Sequence, residues 1–188
     1  MNPETKTSSQ TSVTGPAESP LLPGSATAPG QAGVAELQSV TASDARQPST
    51  HALSHLPIPF QVIDYLMKGY HLNATVQPDQ VVFAARELAR EGFALDTITG
   101  VDWLAAGQME VVYDYFHPTQ LLRVVVRSRI PRDHPEIPTI SAVFPGANWH
   151  ERETHDFFGI HFLGHPNLIP FLLPEDATFH PLRKDFSV

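Results

Sequence analysis

The sequence predicts an α+β domain preceded by a low-complexity segment. Three observations predict it. Pro78 to Glu91 carries one apolar stripe at helical spacing, Val81, Ala84, Ala85 and Leu88. Met109 to Phe116 and Leu121 to Ile130 alternate apolar with polar residues, as the arms of a hairpin do. Every Phe, Tyr and Trp lies at Phe60 or later.

The last observation divides the chain. Residues 1–56 are rich in Ser, Thr, Pro, Ala and Gly, and without aromatics they cannot bury enough apolar surface to offset their ordering entropy. They are expected to be a disordered tail, with Val34 to Val40 the one stretch suited to fold on a partner. The domain is expected over residues 57–188. A chain of that size buries about two-thirds of its unfolded surface, enough for one core.

Composition narrows the function. The 188 residues include no cysteine, which excludes disulfides and cysteine-ligated zinc or iron–sulfur clusters in this chain. The net charge of −8 without a basic cluster argues against nucleic acid or anionic lipid as a direct partner. No apolar run reaches the roughly 20 residues of a membrane span, and no signal or transit peptide is expected.

Taken in order, Phe60 to Lys68 predicts a short helix with Phe60, Ile63 and Met67 on one side and Gly69 ending it. Leu72 to Val76 suits a strand. Pro78 fits the first position of the next helix, Asp79 complements its dipole, and Gly92 stops it. Phe93 to Val101 reads as a strand and Asp102 to Gln108 as a loop. A four-residue turn, His117 to Gln120, pairs Phe116 with Leu121. Tyr113 then faces Val124 and Val111 faces Val126, while Asp114 faces Arg123 and Glu110 faces Arg127. The charged side suits a solvated sheet face or a docking surface. Pro131 to Pro138 reads as a polar loop and Thr139 to Pro145 as a short apolar segment.

The densest chemistry follows. Asn148 can cap a helix with Glu151 reaching back to it, and Gly159 can end it. Within this helix Glu151 can pair with His155, and Arg152 with Asp156. Only Trp149, Phe157 and Phe158 are large and apolar, so the helix needs tertiary or partner contacts. Phe158, Ile160 and Phe162 alternate as in a strand, and Gly164-His165-Pro166 turns the chain. Leu168 to Leu173, broken by Pro170, predicts an irregular packed segment. Leu182 and Phe186 flank Arg183, Lys184 and Asp185 as apolar anchors flank charges at interfaces.

Three chemistries compete for this stretch. Glu151 with His155, and His161 with His165, have i to i+4 spacing, but neither forms the zinc-protease pattern. Glu151, Glu153 and Asp156 with a histidine could do acid–base work, but no nucleophile constellation or phosphate-cradling loop accompanies them. An ion-pair network serving an interface accounts for all the residue types.

The stretch resembles the C subunit of NADH–quinone oxidoreductase, the respiratory complex I. The resemblance is carried by Ala147-Asn148-Trp149, Glu151-Arg152-Glu153, Asp156, Phe158-Gly159-Ile160, Phe162, Gly164-His165-Pro166 and Pro181-Leu182-Arg183-Lys184-Asp185-Phe186. Gly92-Phe93, Leu95, Gly100-Val101-Asp102 and the hairpin add to it. It runs well over Pro78 to Phe186 and loosely over Pro57 to Gln77.

The resemblance implies an α+β domain in the hydrophilic arm. With the elements above, this is a two-layer domain in which a mixed sheet is packed by two helices and an extended irregular C-terminal segment follows. It implies no catalytic residue, cofactor or metal in this chain. FMN, iron–sulfur clusters and quinone belong to partner subunits, and electrons pass from NADH to quinone in a proton-translocating assembly. The implied partners are the large D subunit, which lines the quinone site, and the cluster-bearing B subunit, at the cytoplasmic face of a bacterial cell membrane. Trp149, Glu151, Arg152, Glu153, Asp156, Gly159, His165, Pro166, Arg183, Lys184 and Asp185 are the implied docking and structural residues. His155 replaces an aromatic expected before Asp156. Asn167 to Asp176 departs from the family's pattern: Asn167-Leu168-Ile169-Pro170 lacks the expected arginines, and Leu172-Leu173-Pro174-Glu175-Asp176 looks like the related subunit of membrane-bound hydrogenases.

Overall fold

Two buried leucines open the described part of the chain. The computed structural model describes residues 53–187, so the expectation for residues 1–52 lies outside it. The core reaches back to Leu53, four residues before the boundary expected at Pro57. Leu53 and Leu56 are joined in a turn by the Leu56 N–H to Leu53 O bond of 3.1 Å. A Leu pair at turn spacing anchors a segment that composition alone assigns to the tail.

Among the described residues the chain forms a five-stranded mixed sheet and a separate two-stranded one. The strands of the first are β1 (Gln61–Val62), β2 (Leu72–Thr75), β3 (Ala94–Trp103), β4 (Gln108–His117) and β5 (Leu122–Pro131), in the order β1-β2-β5-β4-β3. β2 runs parallel to β5; the other pairs are antiparallel. The helix expected over Phe60 to Lys68 shrinks to one turn, α1 (Tyr65–Lys68). Gln61 and Val62 pair with β2 instead, and the Asp64 side chain accepts the Leu66 N–H at 3.0 Å, which starts the helix only there. Met67 faces solvent rather than a core.

The helix predicted by the apolar stripe is α2 (Val81–Arg90), preceded by a 3₁₀ turn over Pro78–Gln80. Val81, Ala84, Ala85 and Leu88 are its buried residues. Helix α3 (Ala147–Phe158) packs over β3. Both helices share one continuous core with the sheet face of Leu72, Ala74, Ile98, Val111, Tyr113, Tyr115, Val124 and Val126. The fold is therefore the expected mixed sheet covered on one side by two helices.

The hairpin keeps its predicted faces but not its predicted register. Asp114 lies opposite Val125, Phe116 opposite Arg123, and Tyr113 opposite Val126. The slip is two residues, so every side chain stays on its face. The turn moves because Leu121 takes a left-handed φ of 54° and donates its N–H to His117 O at 2.9 Å. Leu122, not Leu121, then enters the core. The His117 ring fixes the turn by accepting the Gln120 N–H at Nδ1, 3.2 Å away. The charged pairs of Arg123 and Arg127 form diagonally, and that of Arg129 directly across the ladder. Arg123 reaches Asp114 at 3.1 Å, and Glu110 receives Arg127 at 3.4 Å and Arg129 at 3.3 Å. A bulge between Leu95 and Thr97 lets Asp96 reach Arg123 as well.

The polar loop expected before Pro138 contains a strand, β6 (Glu136–Pro138), which pairs in parallel with β7 (His161–Leu163). Ile137 and Phe162 are neighbours in that ladder and are fully buried. The strand expected from Phe158 is shorter, because Phe158 completes α3. The loop expected over Asp102 to Gln108 shortens to a 3₁₀ turn, Leu104–Ala106, and Gly107, because Asp102 and Trp103 end β3 and Gln108 begins β4.

Gly100 sets the distance between α3 and the sheet. A Cβ there would lie 2.5 Å from Cδ2 of Phe158. Gly100→Val is expected to force α3 off β3 and to cost about 1–3 kcal/mol of stability, the range of overpacked cores. Denaturant unfolding monitored by tryptophan fluorescence checks this; an unchanged midpoint would mean that the helix is not seated by this glycine.

Candidate docking site

Helix α3 has too few apolar residues for an ordinary core helix, yet it is buried along one side. Its buried residues are Ala147, Glu151, Arg152, Thr154, Asp156 and Phe158. A buried charge is costly unless its hydrogen bonds are completed. Here the partners come from outside the helix, and mostly from the backbone.

Arg152 donates from Nε to Ile169 O at 3.0 Å and from Nη2 to Pro170 O at 2.9 Å. Its guanidinium also lies 5.1 Å from the Trp149 ring and 5.0 Å from the Phe171 ring. One oxygen of Asp156 accepts the N–H groups of Phe171, Leu172 and Leu173 at 2.8, 2.6 and 3.2 Å. Burial alone would raise the Asp156 pKa, but these three donors hold it below its ordinary value. The expected Arg152–Asp156 pair is therefore absent. Residues 169–173 form no regular element, so their backbone groups need side-chain partners, and Arg152 and Asp156 supply them.

The end of α3 is closed the same way. Gly159 turns with φ 72° and donates to His155 O at 2.8 Å. The last carbonyls receive donors from the C-terminal segment. His180 Nδ1–H donates to Asp156 O at 2.8 Å, Leu182 N–H to Phe157 O at 3.1 Å and Arg183 Nε–H to Phe158 O at 2.7 Å. Any side chain at position 159 would meet them, since a Cβ would come within 2.5 Å of both Arg183 Nη2 and His180 Nε2. Residues 164–187 thus form a strap across α3.

The strap is also tied to the sheet. Asp102 takes Arg132 bidentately, at 2.8 and 3.1 Å, and accepts the Lys184 N–H at 2.8 Å. Arg132 also donates to Asp185 at 2.5 Å. The Arg132 hydrogen bond holds Asp102 below its ordinary pKa and does the same for Asp185. The Lys184 ammonium lies 5.9 Å from the Trp103 ring.

Glu151 does not cap the helix, which starts one residue before Asn148 with Gly146 at its N-cap. Nor does it pair with His155, whose Nδ1 instead meets Ile160 O at 2.9 Å. Glu151 is fully buried and accepts the Ile140 N–H at 2.8 Å and the Thr139 hydroxyl at 2.5 Å. Burial pushes its pKa up to about 7, against the pull of those two bonds. His165 accepts the Asn167 N–H at Nδ1, so its Nε2–H donates to Asn148 O at 3.2 Å, 3.8 Å from Glu151. A cleft of about 330 Å³ beside this cluster is lined by Ser141, Ala142, Pro145, Asn148, Gly164 and Pro166; neither Glu151 nor His165 lines it.

The remaining expected residues face outward. Trp149 is 54% exposed, Pro166 is exposed, and Glu153 is exposed with no ion pair or hydrogen bond among the described residues. Around Trp149 the strap presents Ile169, Phe171 and Leu172 to solvent, and further along Phe179, Leu182 and Phe186. Sequence reasoning missed Asp102, Arg132, Thr139 and His180 as members of this network. Asp102 carried a signal, a lone acid ending a strand; Arg132 and Thr139 lie in segments without periodicity. Among the described residues no three His, Asp or Glu side chains gather as a metal site requires, and no helix is long and apolar enough to cross a membrane.

Two outcomes are expected. The folded pKa of Glu151, about 7, exceeds its ordinary value of 4.5, so the folded state holds the extra proton. Its contribution is complete below about pH 4.5 and lost as pH rises through 7, a span of about 3 kcal/mol. Glu151→Gln should remove this decline, so the stability gap between variant and wild type must change sign or narrow between pH 5 and 8; a constant gap in pH-resolved denaturation would contradict it. Asp156→Ala leaves three N–H groups without their acceptor and is expected to cost about 3 kcal/mol. Hydrogen exchange should quicken at Phe171, Leu172 and Leu173 before it does in the sheet.

Comparison with known proteins places this geometry in a family. Residues 74–188 match the family model described as respiratory-chain NADH dehydrogenase, 30 Kd subunit. The C subunit of the NADH-quinone oxidoreductase of Roseiflexus sp. (strain RS-1) is 42% identical over 120 residues, 61% of this chain and 68% of the relative. The C subunit of the F(420)H(2) dehydrogenase of Methanosarcina mazei is 43% identical over 97 residues, 50% of this chain and 60% of the relative. A chain in the solved structure of the membrane-bound sulfane sulfur reductase, an archaeal respiratory membrane complex, superposes with a TM-score of 0.65 at 29% identity, over 73% of this chain and 82% of that one. The chain belongs to the family of the 30 kDa subunit of respiratory-chain NADH dehydrogenase.

Proposed function

We propose that this chain is a non-catalytic docking subunit in the peripheral arm of a proton-translocating NADH–quinone oxidoreductase. It binds the quinone-site large subunit, with the cluster-bearing one alongside, and meets the cytoplasmic membrane face only through them. FMN, iron–sulfur clusters and quinone reside in the partner subunits. One observation supports this reading above the others. Two of the buried charges of α3, Arg152 and Asp156, shape the strap, and Ile169, Phe171 and Leu172 of the strap face outward with Trp149 of the helix as an apolar face.

A second reading keeps the same role in a related assembly, such as a complex-I-like hydrogenase. It is favoured by the departure over Asn167 to Asp176, by the F(420)H(2) dehydrogenase relative and by the likeness to the sulfane sulfur reductase chain. The clamps Arg152 and Asp156 are unaffected by which assembly is meant, because they bind backbone.

The test is affinity isolation of the tagged chain from its native membranes. Stoichiometric recovery of the large and cluster-bearing subunits is expected, with NADH–quinone electron transfer lost when the chain is deleted. The electron-input subunits in the same preparation separate the two assemblies. Leu172→Glu should abolish co-isolation while leaving the melting of the isolated chain within a few degrees of wild type. A free monomer with its own turnover, assembled with nothing, would falsify the proposal.

A further inference from the structure

The charges around the exposed apolar face are not balanced. Its cations turn inward: Arg152 onto Ile169 O and Pro170 O, and Arg183 onto Phe158 O. Lys184 stands apart, beside Trp103. Its acids turn outward. Glu153 lies four residues from Trp149, on the same side of α3. Glu175 and Asp176 follow within three residues of Leu173, whose N–H Asp156 holds. All three acids are exposed, and none has an ion pair or hydrogen bond among the described residues. By contrast Asp102, Glu151, Asp156 and Asp185, the other acids of the site, are all engaged inside the chain.

Resting on the docking role above, we propose that the surface which covers Trp149, Ile169, Phe171 and Leu172 belongs to a protein partner with an apolar centre and lysine or arginine at its rim. The partner's cations complete Glu153 on one side and Glu175 with Asp176 on the other. An apolar centre supplies the binding free energy, and the rim charges set orientation and association rate. A second copy of this chain does not fit. Two-fold packing on this face would bring the acids of each copy against the same set in a chain already at −8. An anionic lipid surface is repelled by the same groups.

The experiment compares two variants in the native complex. The first is the triple reversal E153K/E175K/D176K; the second is the isosteric neutralisation E153Q/E175Q/D176N. The readout is the fraction of this chain recovered with tagged large subunit, with the melting of each isolated full-length variant measured alongside. Neutralisation should lower recovery several-fold and reversal by about tenfold or more, since like charges then face each other across the rim. As salt is raised, recovery of wild type should fall to converge on that of the neutralised variant. If both charge variants assemble as wild type does while Leu172→Glu abolishes assembly, the docking role stands and the basic rim is wrong. If the isolated wild-type chain dimerises through this face, and Leu172→Glu returns it to a monomer, a second copy is the occupant and the proposal is overturned.

Discussion

The interaction on which the rest depends is the accommodation of buried charge on α3. A helix of this composition, if it lay on the sheet with its polar side chains unpartnered, would cost more in desolvation than its few apolar residues return. The chain solves this with segments that themselves lack partners. Residues 169–173 have no ladder and no helix, so their carbonyls and N–H groups are free to meet Arg152 and Asp156. The last carbonyls of α3 are free by the geometry of any helix end, and His180, Leu182 and Arg183 fill them. Each side needs the other, so helix and strap order together.

The sheet serves this arrangement from below. Gly100 lets Phe158 approach the strand, and Asp102, near the end of the same strand, reaches Arg132 and the Lys184 backbone. One strand thus holds α3 at its middle and the strap at its end. The opposite sheet face is polar but differently built. Glu110, nearly buried, sits among Arg127, Arg129 and the Trp103 indole, and the Arg129 guanidinium lies 4.9 Å from that ring. Its charges are mutually satisfied, unlike the free acids beside Trp149.

This division of labour suits a family whose members serve several respiratory complexes. The C subunits of an NADH–quinone oxidoreductase and of an F(420)H(2) dehydrogenase are similarly distant from this chain in sequence. Residues that clamp backbone do not specify what the strap shows outward, so Arg152 and Asp156 can hold it whatever side chains stand at positions 169, 171 and 172. The part of the strap that departs from the expected pattern, Asn167 to Asp176, is the part Arg152 and Asp156 hold.

Local pattern was enough for elements whose burial depends on their own periodicity. The stripe of α2 placed Val81, Ala84, Ala85 and Leu88 in the core, and the alternation of the hairpin assigned each side chain its face. It could not fix the hairpin's register, because a two-residue slip preserves that alternation and the choice falls to Leu121's backbone and the His117 ring. Nor could it bound α1, which the pairing of Gln61 and Val62 with β2 shortens, or place β6, which pairs with the more distant β7. In α3 the spacing of Glu151 with His155, and of Arg152 with Asp156, pointed to pairs within the helix. Tertiary structure overrode both, for a single reason. An exposed ion pair is worth little, whereas an unpaired backbone group in the interior is costly, so buried charges go to the backbone that needs them. By itself the sequence determined that the helix after Ala147 is too polar to pack as an ordinary core helix; only the tertiary structure decided which charges between Asn148 and Phe186 clamp backbone and which stay exposed.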